Sequence, residues 1–144
     1  MSKYHNILVA VDGSDEAKRA FTNAVNIAKD NHAHLIIVHI IDTRTFATIE
    51  QYDRTIVSRA ENYGQELLDD YQAEANQAGV DNVTTVIDFG SPKVKIPKDI
   101  AQKYEVDLIV SGATGLNAVE RMLIGSVSES ITRHSKCDVL IVRS

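Results

Sequence analysis

Asn6 to Ser14 reads NILVAVDGS. Ile7 to Val11 is a short apolar run without polar alternation, and Asp12-Gly13-Ser14 ends it. A run of that kind, bounded by turn residues, predicts a buried strand over Asn6 to Val11. Ser14 then suits a helix N-cap, with Asp15 and Glu16 in the first turn. Beyond it Ala17, Ala20, Phe21, Ala24, Val25 and Ala28 recur at helical spacing.

The alternation of strand and helix continues outward from there. His34 to Ile41 (HLIIVHII) reads as a second strand. Asp42 to Gln51 is either a lid over a ligand or an ordinary surface loop. Ile49, Tyr52, Ile56, Ala60, Tyr63, Leu67, Tyr71 and Ala78 keep helical period, which predicts a long helix ending near Gly79 as its C′ residue. Tyr52, Tyr63 and Tyr71 read as a half-buried stripe on it. Val83 to Phe89 is a third strand, broken by Gly90-Ser91-Pro92. Ile96, Ile100, Ala101 and Tyr104 are periodic around Pro97, so the next helix either starts at Pro97 or is kinked there. Asp107 to Ser111 is a fourth strand, Gly112 to about Ile124 a loop, Ser126 to His134 a helix and Asp138 to Arg143 a fifth strand.

Strands alternating with helices predict an α/β fold, a doubly wound five-stranded parallel sheet covered on both faces. With the order 3-2-1-4-5, strands 1 and 4 flank the point where the order reverses. A ligand then binds outside their carboxyl ends. Those ends are Asp12-Gly13-Ser14 and Gly112-Ala113-Thr114-Gly115.

The 144 residues suit one domain, residues 1–144, and 44% hydrophobic with 24% charged residues is an ordinary globular balance. A net charge of −5 without a dense Lys/Arg run argues against a nucleic-acid partner. The longest apolar stretch, around Leu35 to Ile41, is too short to span a membrane, and Met1 to His5 has no apolar core for a signal peptide. The lone Cys137 excludes an internal disulfide and fits a cytoplasmic, reducing setting. The histidines show no metal-ligand spacing with Cys137. His39 on a strand reads as a packed or hydrogen-bonded ring, and Cys137 as a buried, inert thiol.

The chemistry gathers after the fourth strand. Gly112, Gly115 and Gly125 let backbone amides approach a ligand closely, or they merely shape turns. Ser126 with Glu129 forms a capping-box pattern that places a helix N-terminus at Gly125-Ser126. Free N–H groups and the helix dipole suit phosphate there, with the Ser126 and Ser128 hydroxyls as further donors. Arg121 either adds positive charge or faces water. On the opposite wall Asp12 suits ribose hydroxyls or magnesium, or is a plain turn residue. Neither G-x-x-x-x-G-K-[ST] nor G-x-G-x-x-G is present, which argues against a P-loop motor and an NAD dehydrogenase.

The run GATGLNAVERMLIGSVSESI contains Gly112-x-x-Gly115, nine residues, then Gly125-Ser126. It resembles G-x-x-G-x9-G-[ST], the ATP-binding signature of the universal stress protein family. The opening ILVAVDGS, the segment His39 to Asp42 and the closing CDVLIV resemble the same family, so the likeness covers essentially the whole chain. It implies a flavodoxin-like, adenine nucleotide alpha hydrolase-like sandwich with ATP in the crevice between strands 1 and 4. Carried over by position, Asp12 holds the ribose, and backbone at Ala10, Val11 and Ile40 frames the adenine. Ser111 and Gly112 line the ribose side. Gly115, Gly125, Ser126, Val127 and Ser128 hold the phosphates, with magnesium or manganese between them. The Pro92–Pro97 segment is a residue longer than the family pattern and is expected to lie away from this site.

The last strand, with Val139, Leu140, Ile141 and Val142, is an apolar edge in the proposed order. It invites a second copy and a homodimer, which the resemblance also implies, or it is covered by the chain's own loops. Three functions follow: a nucleotide-dependent stress-response module, an enzyme of slow ATP hydrolysis or self-phosphorylation near Thr114, Ser126 and Ser128, or a dimerisation module that binds no nucleotide. No assembled nucleophile, base and orienting group is legible, so fast catalysis is not expected.

Overall fold

Strands β1 (Asn6–Ala10), β2 (His34–Asp42), β3 (Val83–Gly90), β4 (Leu108–Gly112) and β5 (Asp138–Val142) alternate with helices α1 (Asp15–Asn31), α2 (Arg54–Gln77), α3 and α4 (Ser126–His134). Helix α3 runs without a break through Pro92–Val94, a π-helical turn Lys95–Ile100 and Ala101–Lys103. These elements are seen in a computed structural model that describes residues 3–42, 54–113 and 125–143.

All strand pairs are parallel, and the five-stranded sheet has the order β3-β2-β1-β4-β5. This is the expected doubly wound topology. Alternate residues along each strand face opposite layers. Ile7, Val9, Leu35 and Ile37 pack under Phe21 and Ala24 of α1 and Leu68 and Tyr71 of α2. Leu8, Ile36, Val38 and Ile109 pack over Ile96 and Ile100 of α3 and Ile131 of α4. Two buried faces explain why β1 and β2 read as unbroken apolar runs.

Helix ends follow local chemistry. Ser14 caps α1, its Oγ accepting the Ala17 N–H at 3.1 Å. Helix α2 closes with Val80 N–H to Ala75 O and Gly79 N–H to Asn76 O, and Gly79 takes φ +106°. That is the paired-bond stop a C′ glycine permits.

Two expectations need correction. Strand β1 ends at Ala10, not Val11. Of the tyrosine stripe, Tyr71 is buried but Tyr63 is 52% exposed, while Tyr52 lies outside the described residues. Of the two readings of Pro97, the structure takes the one with an earlier turn disturbed there: the N1 proline of α3 is Pro92, and Pro97 sits inside the helix at the π turn. A proline there has no N–H to aim at the Lys93 carbonyl four residues back. Ser130 of α4 supplies the missing donor, its Oγ donating to Lys93 O at 2.9 Å. The proline segment therefore contacts α4 through Ser130.

Candidate functional site

The β1–α1 turn forms one wall of the crevice. Asp12 Oδ1 accepts the Ser14 N–H at 3.0 Å and the Ser14 Oγ–H at 2.5 Å. Ser14 Oγ in turn accepts from Ala17, so turn and helix cap form one relay. Nothing else among the described residues donates to this carboxylate. Gly13 takes φ +84°, and a Cβ there would run into the Tyr63 hydroxyl of α2. The turn is thus held on its α2 side by an exposed tyrosine.

The β4 end and the start of α4 form the other wall. Gly125 N–H donates to Ala113 O at 2.7 Å. Ser128 Oγ donates to Gly112 O, and Ser111 Oγ donates to the same carbonyl at 3.1 Å. Both hydroxyls are buried between β4 and α4. The Ser128 hydroxyl is therefore not the free further donor expected of it, being buried and engaged by Gly112 O. Gly112 serves close packing: a Cβ would come within 3.0 Å of the Glu16 backbone. That space is taken by α1.

The capping box is not formed. Gly125 is the N-cap of α4, with φ −64° and ψ 159° and no side-chain cap, and Ser126 is exposed in the first turn. The helix spans Ser126–His134 as expected, with Gly125 rather than Ser126 in the cap position and its N–H bonded to Ala113 O. The first N–H paired within α4 is that of Glu129, to Gly125 O at 2.9 Å. The N–H groups of Ser126, Val127 and Ser128 precede it and gather at the positive end of the helix.

Between the walls, β2 outruns β1. Val11 N–H bonds Val38 O at 2.9 Å, and His39 Nδ1 lies 2.8 Å from Val11 O. His39 is thus the hydrogen-bonded ring expected of it. Ala10, Val11, Asp12, Ile40, Ser111 and Gly112 meet at the carboxyl ends of three adjacent strands, and α4 brings Gly125, Ser126, Val127 and Ser128 to the same end. Gly115, Thr114, Arg121 and the segment 43–51 lie outside the described residues. Glu16, whose backbone abuts Gly112, was missed by sequence reasoning, since no local pattern marks such an approach. Beyond the crevice, Cys137 is part-buried rather than the buried thiol expected, and that burial still pushes the thiol up, which suits an inert cysteine.

The sequence profile of the Universal stress protein family matches residues 3–143. A putative universal stress protein of Staphylococcus haemolyticus is 54% identical over 144 residues, covering all of this chain and 87% of the relative. The chain belongs to the universal stress protein family. Among solved structures, the universal stress protein UspA from Lactobacillus plantarum is 34% identical at a TM-score of 0.87, covering 99% of this chain and 100% of that one. A universal stress protein crystallised in complex with cAMP is 28% identical at a TM-score of 0.77, covering 99% of each chain. Among the described residues no helix is long and apolar enough to cross a membrane.

Proposed function

We propose that this universal stress protein binds ATP in the crevice between β1 and β4 and works as a module whose nucleotide state regulates a stress response. One observation carries the reading: Asp12, with one oxygen engaged by Ser14, sits at the end of β1 beside β4, and the Gly125–Ala113 bond ties the α4 N-terminus, where three N–H groups precede the first helical bond, to the end of β4. A carboxylate suits ribose hydroxyls, and unpaired amides at a helix start suit phosphate. Ala10, Val11 and Ile40 frame the base, Ser111 and Gly112 the ribose side, and Gly115 joins Gly125 to Ser128 around the phosphates. The cAMP complex of a relative supports an adenine nucleotide in this fold.

Magnesium or manganese would bind through phosphate oxygens. No cluster of three or more His, Cys, Asp or Glu among the described residues is arranged to hold a metal ion by protein groups alone. Ser126 is exposed in the first turn of α4, so its hydroxyl would lie near a phosphate bound there, which favours slow hydrolysis or self-phosphorylation as a second reading. A cytoplasmic homodimer joined along β5, without a nucleic-acid partner, completes the proposal.

Thermal melting with Mg-ATP, ADP, AMP and cAMP, alongside Gly125→Asp, tests it. Gly125 has backbone angles any residue adopts, and aspartate is itself a good N-cap, so the variant should fold. It places a carboxylate where phosphate belongs. A ligand at 100 times its dissociation constant adds about 2.7 kcal/mol of stability. A rise with Mg-ATP that the variant loses supports the reading. No rise with any nucleotide leaves the dimerisation module.

A further inference from the structure

The end of β1 leaves an unusual pair of backbone groups. Ala10 is in register with Val38, and the Val11 N–H extends the pairing one step to Val38 O at 2.9 Å. In a parallel ladder a residue's N–H and C=O face the same neighbour, and the next partner lies two residues on. A continued ladder would therefore bring the Ile40 N–H to Val11 O. Instead the His39 ring fills that place, Nδ1 standing 2.8 Å from the carbonyl. A carbonyl only accepts, so Nδ1 carries the proton. Among the described residues no backbone acceptor takes the Ile40 N–H.

The ring is firmly held. His39 is 9% exposed, and Tyr63 meets it edge-on with centroids 6.2 Å apart and planes at 72°. Helix α2 comes this close only because residue 64 is glycine: a Cβ there would lie 2.7 Å from His39 Cδ2. Tyr63 also lies against Gly13, so the same brace supports the turn that carries Asp12.

We infer that His39 is a positioning residue for base recognition: by occupying Val11 O it keeps the Ile40 N–H out of the β1–β2 ladder and open to the crevice. The inference rests on the nucleotide reading above and deepens it by naming the source of base selectivity. A backbone N–H at the mouth of the crevice suits the unprotonated N1 of adenine. Guanine presents N1–H on the same edge, setting donor against donor, and a mismatched polar pair is rejected more strongly than a missing methylene.

The experiment is calorimetric titration of Mg-ATP and Mg-GTP into the full chain and into His39→Leu and His39→Asn. Leucine fills the space but donates nothing, so the Ile40 N–H closes onto Val11 O. Asparagine places its amide N–H near the position of Nδ1 and bonds the carbonyl as histidine does. His39→Leu is expected to bind Mg-ATP about ten-fold more weakly with its Mg-GTP affinity unchanged, the size of one lost hydrogen bond. His39→Asn is expected to recover ATP affinity to within about three-fold. Gly64→Ala, which drives the ring off while keeping the histidine, should copy the leucine variant and serves if that variant fails to fold. An unchanged ATP-to-GTP ratio in the folded leucine and alanine variants overturns the inference, as does an asparagine variant that folds but recovers nothing. If the wild-type chain binds neither nucleotide, the nucleotide reading itself fails and takes the inference with it, a result distinct from the other two.

Discussion

Three serines near helix starts separate capping from packing. Ser14 accepts the Ala17 N–H, so Ser14→Ala should cost about 1 kcal/mol in urea unfolding. Ser126 is exposed and caps nothing, so Ser126→Ala should stay within about 0.5 kcal/mol. Ser128→Ala should cost about 0.5–1.5 kcal/mol, since it removes one of the two hydroxyl donors to the buried Gly112 carbonyl and leaves Ser111 on it. Sequence alone ranked Ser126 with Ser14, because both match the local N-cap pattern. What distinguishes them is the Gly125–Ala113 bond, made across a long loop and invisible to any local window. The places of Asp12 in the β1–α1 turn and of Gly125 at the start of α4 were legible because turn and helix-start chemistry lies within a few residues. The Tyr71 phenol adds a pH effect. Burial first, then the Glu74 and Asp12 carboxylates, push it up to about 12. An unfolded tyrosine titrates near pH 10, so between about 10 and 12 the folded chain holds a proton the unfolded chain has lost. Stability is whole below pH 10 and falls as pH rises toward 12. Tyr71→Phe should flatten that fall in unfolding curves taken across this range.

Helix α3 shows what an element owes to its neighbours. Its apolar period was legible, and so was the disturbance at Pro97. Whether Pro97 begins the helix or sits within it was not, because the answer depends on Ser130 in another helix bonding the Lys93 carbonyl. A double-mutant cycle tests this tie. Ser130→Ala alone should cost about 1–2 kcal/mol, because Lys93 O then loses its side-chain donor. In a Pro97→Ala background, where residue 97 regains an N–H, the same change should cost clearly less. Additive costs in urea unfolding would show that the serine and the proline act independently.

Across the whole molecule, order and layers were readable because βαβ alternation, right-handed crossovers and buried parallel strands leave few topologies. Assembly was readable only as an exposed edge. The Ala113 N–H bonds Val142 O, so Val142, Leu140 and Asp138 turn their backbone groups to β4. Val139 and Ile141 therefore turn theirs outward. Ile141→Pro removes an outward N–H and spares the β4 ladder. If β5 joins two copies, sedimentation should show a folded monomer for this variant and a dimer for the wild type. A variant that stays dimeric would move the interface elsewhere. The central claim is that β1, β2, β4 and α4 converge on one adenine nucleotide. Amide mapping by heteronuclear NMR, with Mg-ATP titrated into the labelled chain, tests it most directly. The largest shifts should fall on Asp12, Ile40, Ala113 and Ser126 to Ser128. Shifts confined to other faces, or none at saturating Mg-ATP, would contradict the account.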